Sequence, residues 1–104
     1  HKKNTFNEPI QCWDVSNVSI FQGMFFLASS FNQPLDEWDV RGPITTMGQM
    51  FYGASSFNQP LPSWDVSQNG DFTEMFYSSA FNQDISGWDV SGATSISSMF
   101  ESNT

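Results

Sequence analysis

The chain has 104 residues, a length that suits one domain, and a formal net charge of -8 from 11 acidic residues against 3 basic ones. Lys2 and Lys3 sit at the N-terminus and only Arg41 lies in the body, so the surface is acidic, which disfavours nucleic acid and anionic membranes and favours cations or basic partners. No run of about 18 apolar residues is present to cross a membrane, no signal peptide is visible, and the lone Cys12 excludes an intrachain disulfide and a CxxC zinc site.

In chain order, the first feature is Phe6-Asn7, followed by Ile10 and Trp13-Asp14-Val15. Val18, Phe21, Met24, Phe25 and Ala28 come next, in steps of three or four. The same series then starts again. Phe-Asn returns at Phe31-Asn32, Phe57-Asn58 and Phe81-Asn82. Trp-Asp-Val returns at Trp38, Trp64 and Trp88, with spacings of 25, 26 and 24 residues. Met-Phe returns at Met50-Phe51, Met75-Phe76 and Met99-Phe100. Motifs kept in phase over the whole chain identify a repeat protein of four units, about 6–30, 31–56, 57–80 and 81–104, in one domain spanning 1–104. Length changes fall in the links: Arg41-Gly42-Pro43 lengthens the second unit, and Ser78-Ser79-Ala80 shortens the third.

Within a unit, Trp and Val flank Asp with period two, which predicts a short strand with Trp and Val inward and Asp outward. The following three-and-four spacing predicts a short helical or 3₁₀ segment. A single unit cannot bury its apolar face alone, so the units are expected to stack. The predicted architecture is an α/β repeat solenoid of four coils, each with a parallel β-strand and a short helix. Asn7, Asn32, Asn58 and Asn82 are expected to form an internal ladder that satisfies loop backbone groups.

The unit Leu35-x-x-Trp38-x-Val40, then Ile44, Met47, Met50-Phe51, Ala54 and Phe57, resembles the BspA-like leucine-rich repeat. More closely, the strings WDVSNV and MFYGASSFNQPL resemble a bacterial surface-protein repeat of about 25 residues found in surface lipoproteins of wall-less bacteria. The resemblance covers residues 6–100. It implies a leucine-rich-repeat-like solenoid and a cell-surface or extracellular setting with adhesion, and it carries over no catalytic residue. Asn69 departs from it, standing where an apolar residue is expected, as does Arg41, standing where Ser is expected.

Three groups of residues are candidate binding sites. The row Asp14, Asp39, Asp65 and Asp89 would place carboxylates one strand apart, where like charges are unfavourable unless compensated. A cation or basic ligand would compensate them, with Asp39 and Asp65 the candidate calcium pair. So would local hydrogen bonds from Ser16, Ser67, Ser91 or turn amides. Glu37, Asp39 and Arg41 form a second cluster, readable as a ligand contact or as a surface ion pair. Phe26, Tyr52 and Tyr77 follow Met-Phe in three units, with Glu101 in that slot in the fourth. They could meet a sugar or protein, or pack between units.

With no internal His and the same groups in every unit, no enzyme and no cofactor are expected. The expected function is surface recognition or adhesion, with a glycan or protein bound to one face. The competing expectation is a spacer or assembly subunit whose uncapped ends are covered by neighbouring repeats or subunits, as in a fragment of a longer array.

Overall fold

Backbone amides of one unit reach the carbonyls of the next. In the computed structural model, which describes residues 6–10, 12–15, 17–38, 40, 46–61 and 64–102, the N–H groups of Phe21, Gly23, Phe25 and Leu27 donate to the carbonyls of Thr46, Gly48, Met50 and Tyr52 at 2.7–3.0 Å. Met47, Gln49, Phe51 and Gly53 donate in the same way to Asp71, Thr73, Met75 and Tyr77. Phe72, Glu74, Phe76 and Ser78 donate to Ser95, Ser97, Met99 and Glu101. Every second amide of the segments 21–27, 47–53 and 72–78 thus points along the stacking direction.

The intervening amides bond within their own unit. Met24 donates to Phe21, Phe26 to Gly23 and Ala28 to Phe25, each closing a three-residue step, and the later units repeat this. Positive φ recurs every fourth residue: Gly23 and Leu27, Gln49 and Gly53, Glu74 and Ser78, Ser98 and Ser102. Each of these residues through Ser98 is the third residue of a hydrogen-bonded turn of the type II pattern.

This corrects the expected α/β solenoid. Among the described residues there is no helix, and the only strand-like pairing is two isolated parallel bridges, Ile20 with Thr46 and Asp71 with Ser95. The three-and-four apolar spacing that predicted a helix comes instead from consecutive tight turns. A helix needs an unbroken run of negative φ and amides that all point back along the chain. Here φ changes sign every fourth residue and half the amides leave the unit. The leucine-rich-repeat coil that the resemblance implied is therefore not the structure of these units.

Among the described residues, the predicted Trp-Asp-Val strands do not pair either. The amides of Trp13, Trp38, Trp64 and Trp88 donate three residues back, to Ile10, Leu35, Leu61 and Ile85. Between units the contact is made by the indole instead: the Nε1–H groups of Trp38, Trp64 and Trp88 donate to the carbonyls of Ile10, Leu35 and Leu61 at 2.9, 2.8 and 3.1 Å. Trp38, Trp64 and Trp88 are buried, while Trp13, at one end of the stack, is 56% exposed.

The core consists of side-chain columns. Phe6, Phe31, Phe57 and Phe81 stack with ring centroids 5.6, 5.9 and 6.1 Å apart. Phe25, Phe51, Phe76 and Phe100 form a second column at 5.4, 5.5 and 5.4 Å. The columns interlock through Phe25–Phe31, Phe51–Phe57 and Phe76–Phe81 at 4.1–4.3 Å. Each such ring pair contributes about 0.5–1.5 kcal/mol beyond the area it buries. The result has a radius of gyration of 12.5 Å, the value of a compact chain of this length, about 13 Å. Asn69, where an apolar residue was expected, is buried and satisfied locally: its Nδ2 donates to the Asp71 carbonyl at 3.2 Å, and its Oδ1 accepts from the Asp71 amide at 3.4 Å.

Candidate functional site

In the Phe-Asn corner that begins each unit, the Asn lies on the surface. The Oδ1 atoms of Asn7, Asn32 and Asn58 accept from the amides of Asn32, Asn58 and Asn82 at 2.9, 2.9 and 2.8 Å. Gln33, Gln59 and Gln83 donate through Nε2 to the backbone and side-chain oxygens of Asn7, Asn32 and Asn58 in the preceding unit at 3.0–3.1 Å. The ladder expected inside the molecule is present, but on an exposed edge. The glutamines were not singled out in the sequence, although they recur one residue after Asn in three units. The row's polar capacity is largely spent between units.

The aspartate row shows the same economy. Asp65 Oδ1 accepts from the amide and hydroxyl of Ser67 at 3.1 and 2.6 Å. Asp89 Oδ1 accepts from the Ser91 amide at 3.0 Å, and the bonds from the Ser91 side chain and amide lower the Asp89 carboxyl below its ordinary 3.8. Asp14 is exposed and engaged in an interaction of its own. Asp39 lies outside the described residues, as do Arg41 and Ser16. Of the Glu37–Asp39–Arg41 cluster, the structure therefore describes only Glu37, which is exposed. Among the described residues, no group of three His, Cys, Asp or Glu side chains could hold a metal ion. Repulsion along the Asp row is offset by serine hydrogen bonds at the two described aspartates whose partners are resolved.

A second set of acidic side chains, not singled out in the sequence, lies on the turn segments. Asp71 accepts from the Thr73 amide at 2.9 Å and from the Thr46 hydroxyl at 3.3 Å. The Thr73 side chain, then its amide and then Thr46 hold the Asp71 carboxyl below its ordinary value, against the opposing effect of burial. Gln49 Nε2 donates to Glu74 Oε1 at 2.8 Å, and Ser98 Oγ donates to Glu101 Oε1 at 2.7 Å.

The aromatic column runs along these turn segments. Phe26 and Tyr52 stack with centroids 4.9 Å apart, and Tyr52 and Tyr77 with centroids 4.7 Å apart, all three half-buried. The ring faces thus lie against one another. Tyr52 therefore has a ring against each face, Phe26 and Tyr77 have one face each against Tyr52, and the two phenol hydroxyls bond to none of the described residues. The Tyr77 amide bonds the Glu74 carbonyl at 3.2 Å, so a carboxylate stands on the same turn as the last ring. Every titratable group with a described position is acidic, apart from Cys12 and the two tyrosines, because His1, Lys2, Lys3 and Arg41 lie outside the described residues.

A family model covers residues 1–104, the whole chain, and is described as Mycoplasma protein of unknown function, DUF285; the chain belongs to this family. No curated protein and no solved structure matches it.

Proposed function

We propose that this family member is a non-catalytic recognition module that binds a protein with a basic surface through the face bearing Phe26, Tyr52 and Tyr77. One observation carries the reading: a half-exposed aromatic column whose two phenol hydroxyls bond to none of the described residues. Elsewhere the repeated polar groups are consumed by the neighbouring unit, as in the Asn–Gln ladder, or by a serine two residues on, as at Asp65 and Asp89. The mutual stacking favours a protein over a glycan. Sugars pack flat on ring faces, and here Tyr52 has both faces covered. The hydroxyls suit backbone carbonyls and polar side chains, and the -8 charge draws a basic surface toward the module. The cell-surface setting of this reading is supported by the resemblance of the repeat to the bacterial surface-protein repeat.

The test is binding of the purified chain to an array of extracellular proteins and glycans, with calcium and with chelator. Tyr52→Phe/Tyr77→Phe is measured in parallel. Selective binding to a basic protein is expected, weakened about tenfold in the double variant, as for loss of two hydrogen bonds of about 0.5–1.5 kcal/mol each. Binding to glycans alone, or binding indifferent to both hydroxyls, would remove this face from the proposal.

A further inference from the structure

The aromatic column does not run through all four units. The Leu27 amide donates to the Tyr52 carbonyl, that of Gly53 to Tyr77 and that of Ser78 to Glu101, at 2.7, 2.8 and 3.0 Å. Glu101 therefore holds beside Tyr77 the position that Tyr77 holds beside Tyr52. Rings cover both faces of Tyr52 but only one face of Tyr77. Among the described residues, no further ring meets Tyr77. Its second face is turned toward the fourth unit, so this place lies between two units of the chain and not at either end of it.

Two carboxylates share this part of the surface. Glu74 stands three residues before Tyr77 on the same turn, its carbonyl accepting the Tyr77 amide at 3.2 Å. Glu101 follows in the next unit. Gln49 Nε2 donates to Oε1 of Glu74 and Ser98 Oγ to Oε1 of Glu101, at 2.8 and 2.7 Å. The second oxygen of each carboxylate accepts from none of the described residues. The described residues include no Lys, Arg or His, so neither charge is paired with a cation among them. One bond steadies each carboxylate and leaves the other oxygen to a partner, an arrangement made before binding rather than at its cost.

We propose that the basic partner presents an arginine here, its guanidinium lying on the second face of Tyr77 with N–H groups donated to Glu74 and Glu101. The inference rests on the reading of this face as a recognition surface for a basic protein, and it names the group that the face reads. A guanidinium is planar and weakly hydrated, so it stacks on a ring while its edge carries donors for carboxylates. The partner thus continues the column with a plane where the chain itself supplies none. An ammonium has the charge without the plane, which makes lysine the weaker occupant.

A capped peptide alternating arginine and glycine is the probe, titrated into the wild-type chain and followed through the tyrosine ring resonances by nuclear magnetic resonance. Matched peptides carry lysine or citrulline in place of arginine. The arginine peptide is expected to bind at about 1 mM, the weak end of specific association, and to shift the ring of Tyr77 more than that of Tyr52. The lysine peptide should bind about threefold more weakly, and the citrulline peptide not measurably. Glu74→Gln and Glu101→Gln should each weaken the arginine peptide about threefold, the scale of an exposed ion pair. Glu8→Gln, which removes the same charge at an exposed position in the first unit, should leave it unchanged. Equal binding of the arginine and lysine peptides overturns the proposal, and that comparison depends on no variant. So does an equal loss in Glu8→Gln and Glu101→Gln, the mark of unspecific attraction. The recognition reading fails separately. If an arrayed basic protein binds, and binds more weakly to Tyr52→Phe/Tyr77→Phe, while the arginine and lysine peptides are not distinguished, the face remains a recognition surface and the arginine alone is overturned.

Discussion

The indole of Trp64 donates to the backbone carbonyl of Leu35 at 2.8 Å, joining the third unit to the second through a buried bond. Leu35 also accepts from the Trp38 amide at 3.1 Å, so one carbonyl ties its own turn and the next unit together. The Trp-Asp-Val motif recurs because a large ring with one donor is needed at every junction.

Trp64→Ala should therefore cost about 3–5 kcal/mol, the usual range for emptying a buried aromatic site. Trp64→Phe keeps a ring and leaves Leu35 its Trp38 amide, so about 1–2 kcal/mol is expected. Trp13→Ala should cost under about 1 kcal/mol, the scale of a largely exposed position. Urea unfolding midpoints at unchanged slope provide the comparison. Equal losses at Trp13 and Trp64 would contradict the end-and-middle distinction.

The Asn corner makes a different prediction, because Asn58 acts there as an acceptor. Its Oδ1 takes the Asn82 amide and the Gln83 side chain. Asn58→Ala should cost about 1–2 kcal/mol for the lost bonds. Asn58→Asp retains both acceptor contacts and should be the more stable of the two variants. The opposite order in thermal unfolding would show that the Oδ1 contacts do not stabilise the corner.

Left-handed backbone is held by ordinary residues at Leu27, Gln49, Glu74, Ser78, Ser98 and Ser102. Ser78, at φ 54°, occupies the position that Gly53 fills at 69°. An L side chain in that region costs on the order of 1 kcal/mol. Ser78→Gly should recover part of it, raising stability by about 0.5 kcal/mol after the added freedom of the unfolded chain is set against it. A loss of stability in differential scanning calorimetry would mean that the Ser78 side chain contributes a contact of its own.

Acid should weaken the fold through Asp71. Thr73 and Thr46 lower its folded carboxyl below the ordinary 3.8. The stabilisation is therefore present above 3.8 and is lost as pH falls through the lower folded value. Asp71→Asn lacks that titration. Its stability deficit relative to wild type should be constant from neutral pH to about 5 and shrink below 4. Paired urea titrations at each pH measure this, and a deficit that does not change with pH would remove Asp71 from the acid response.

Much of the order in this chain is legible before folding. Four in-phase occurrences of Phe-Asn, Trp-Asp-Val and Met-Phe establish repeated units and identify the residues that fill the interior, because only a stacked partner can cover so many large apolar side chains. The serine partners of Asp65 and Asp89 were also readable, two residues away and within reach of a local hydrogen bond. The backbone conformation was not readable. Phe21, Met24, Phe25 and Ala28 have the spacing of a helix, and side-chain periodicity cannot distinguish a helix from turns that repeat every four residues. The direction of each amide decides between them, and that depends on whether a neighbouring unit offers a carbonyl, as Met50 does to Phe25. The candidate face was half visible. The sequence by itself determined that Phe26, Tyr52 and Tyr77 align, because they recur at one position of the repeat. Only the tertiary structure decided that they stack face to face, because ring orientation is set by the spacing between stacked units.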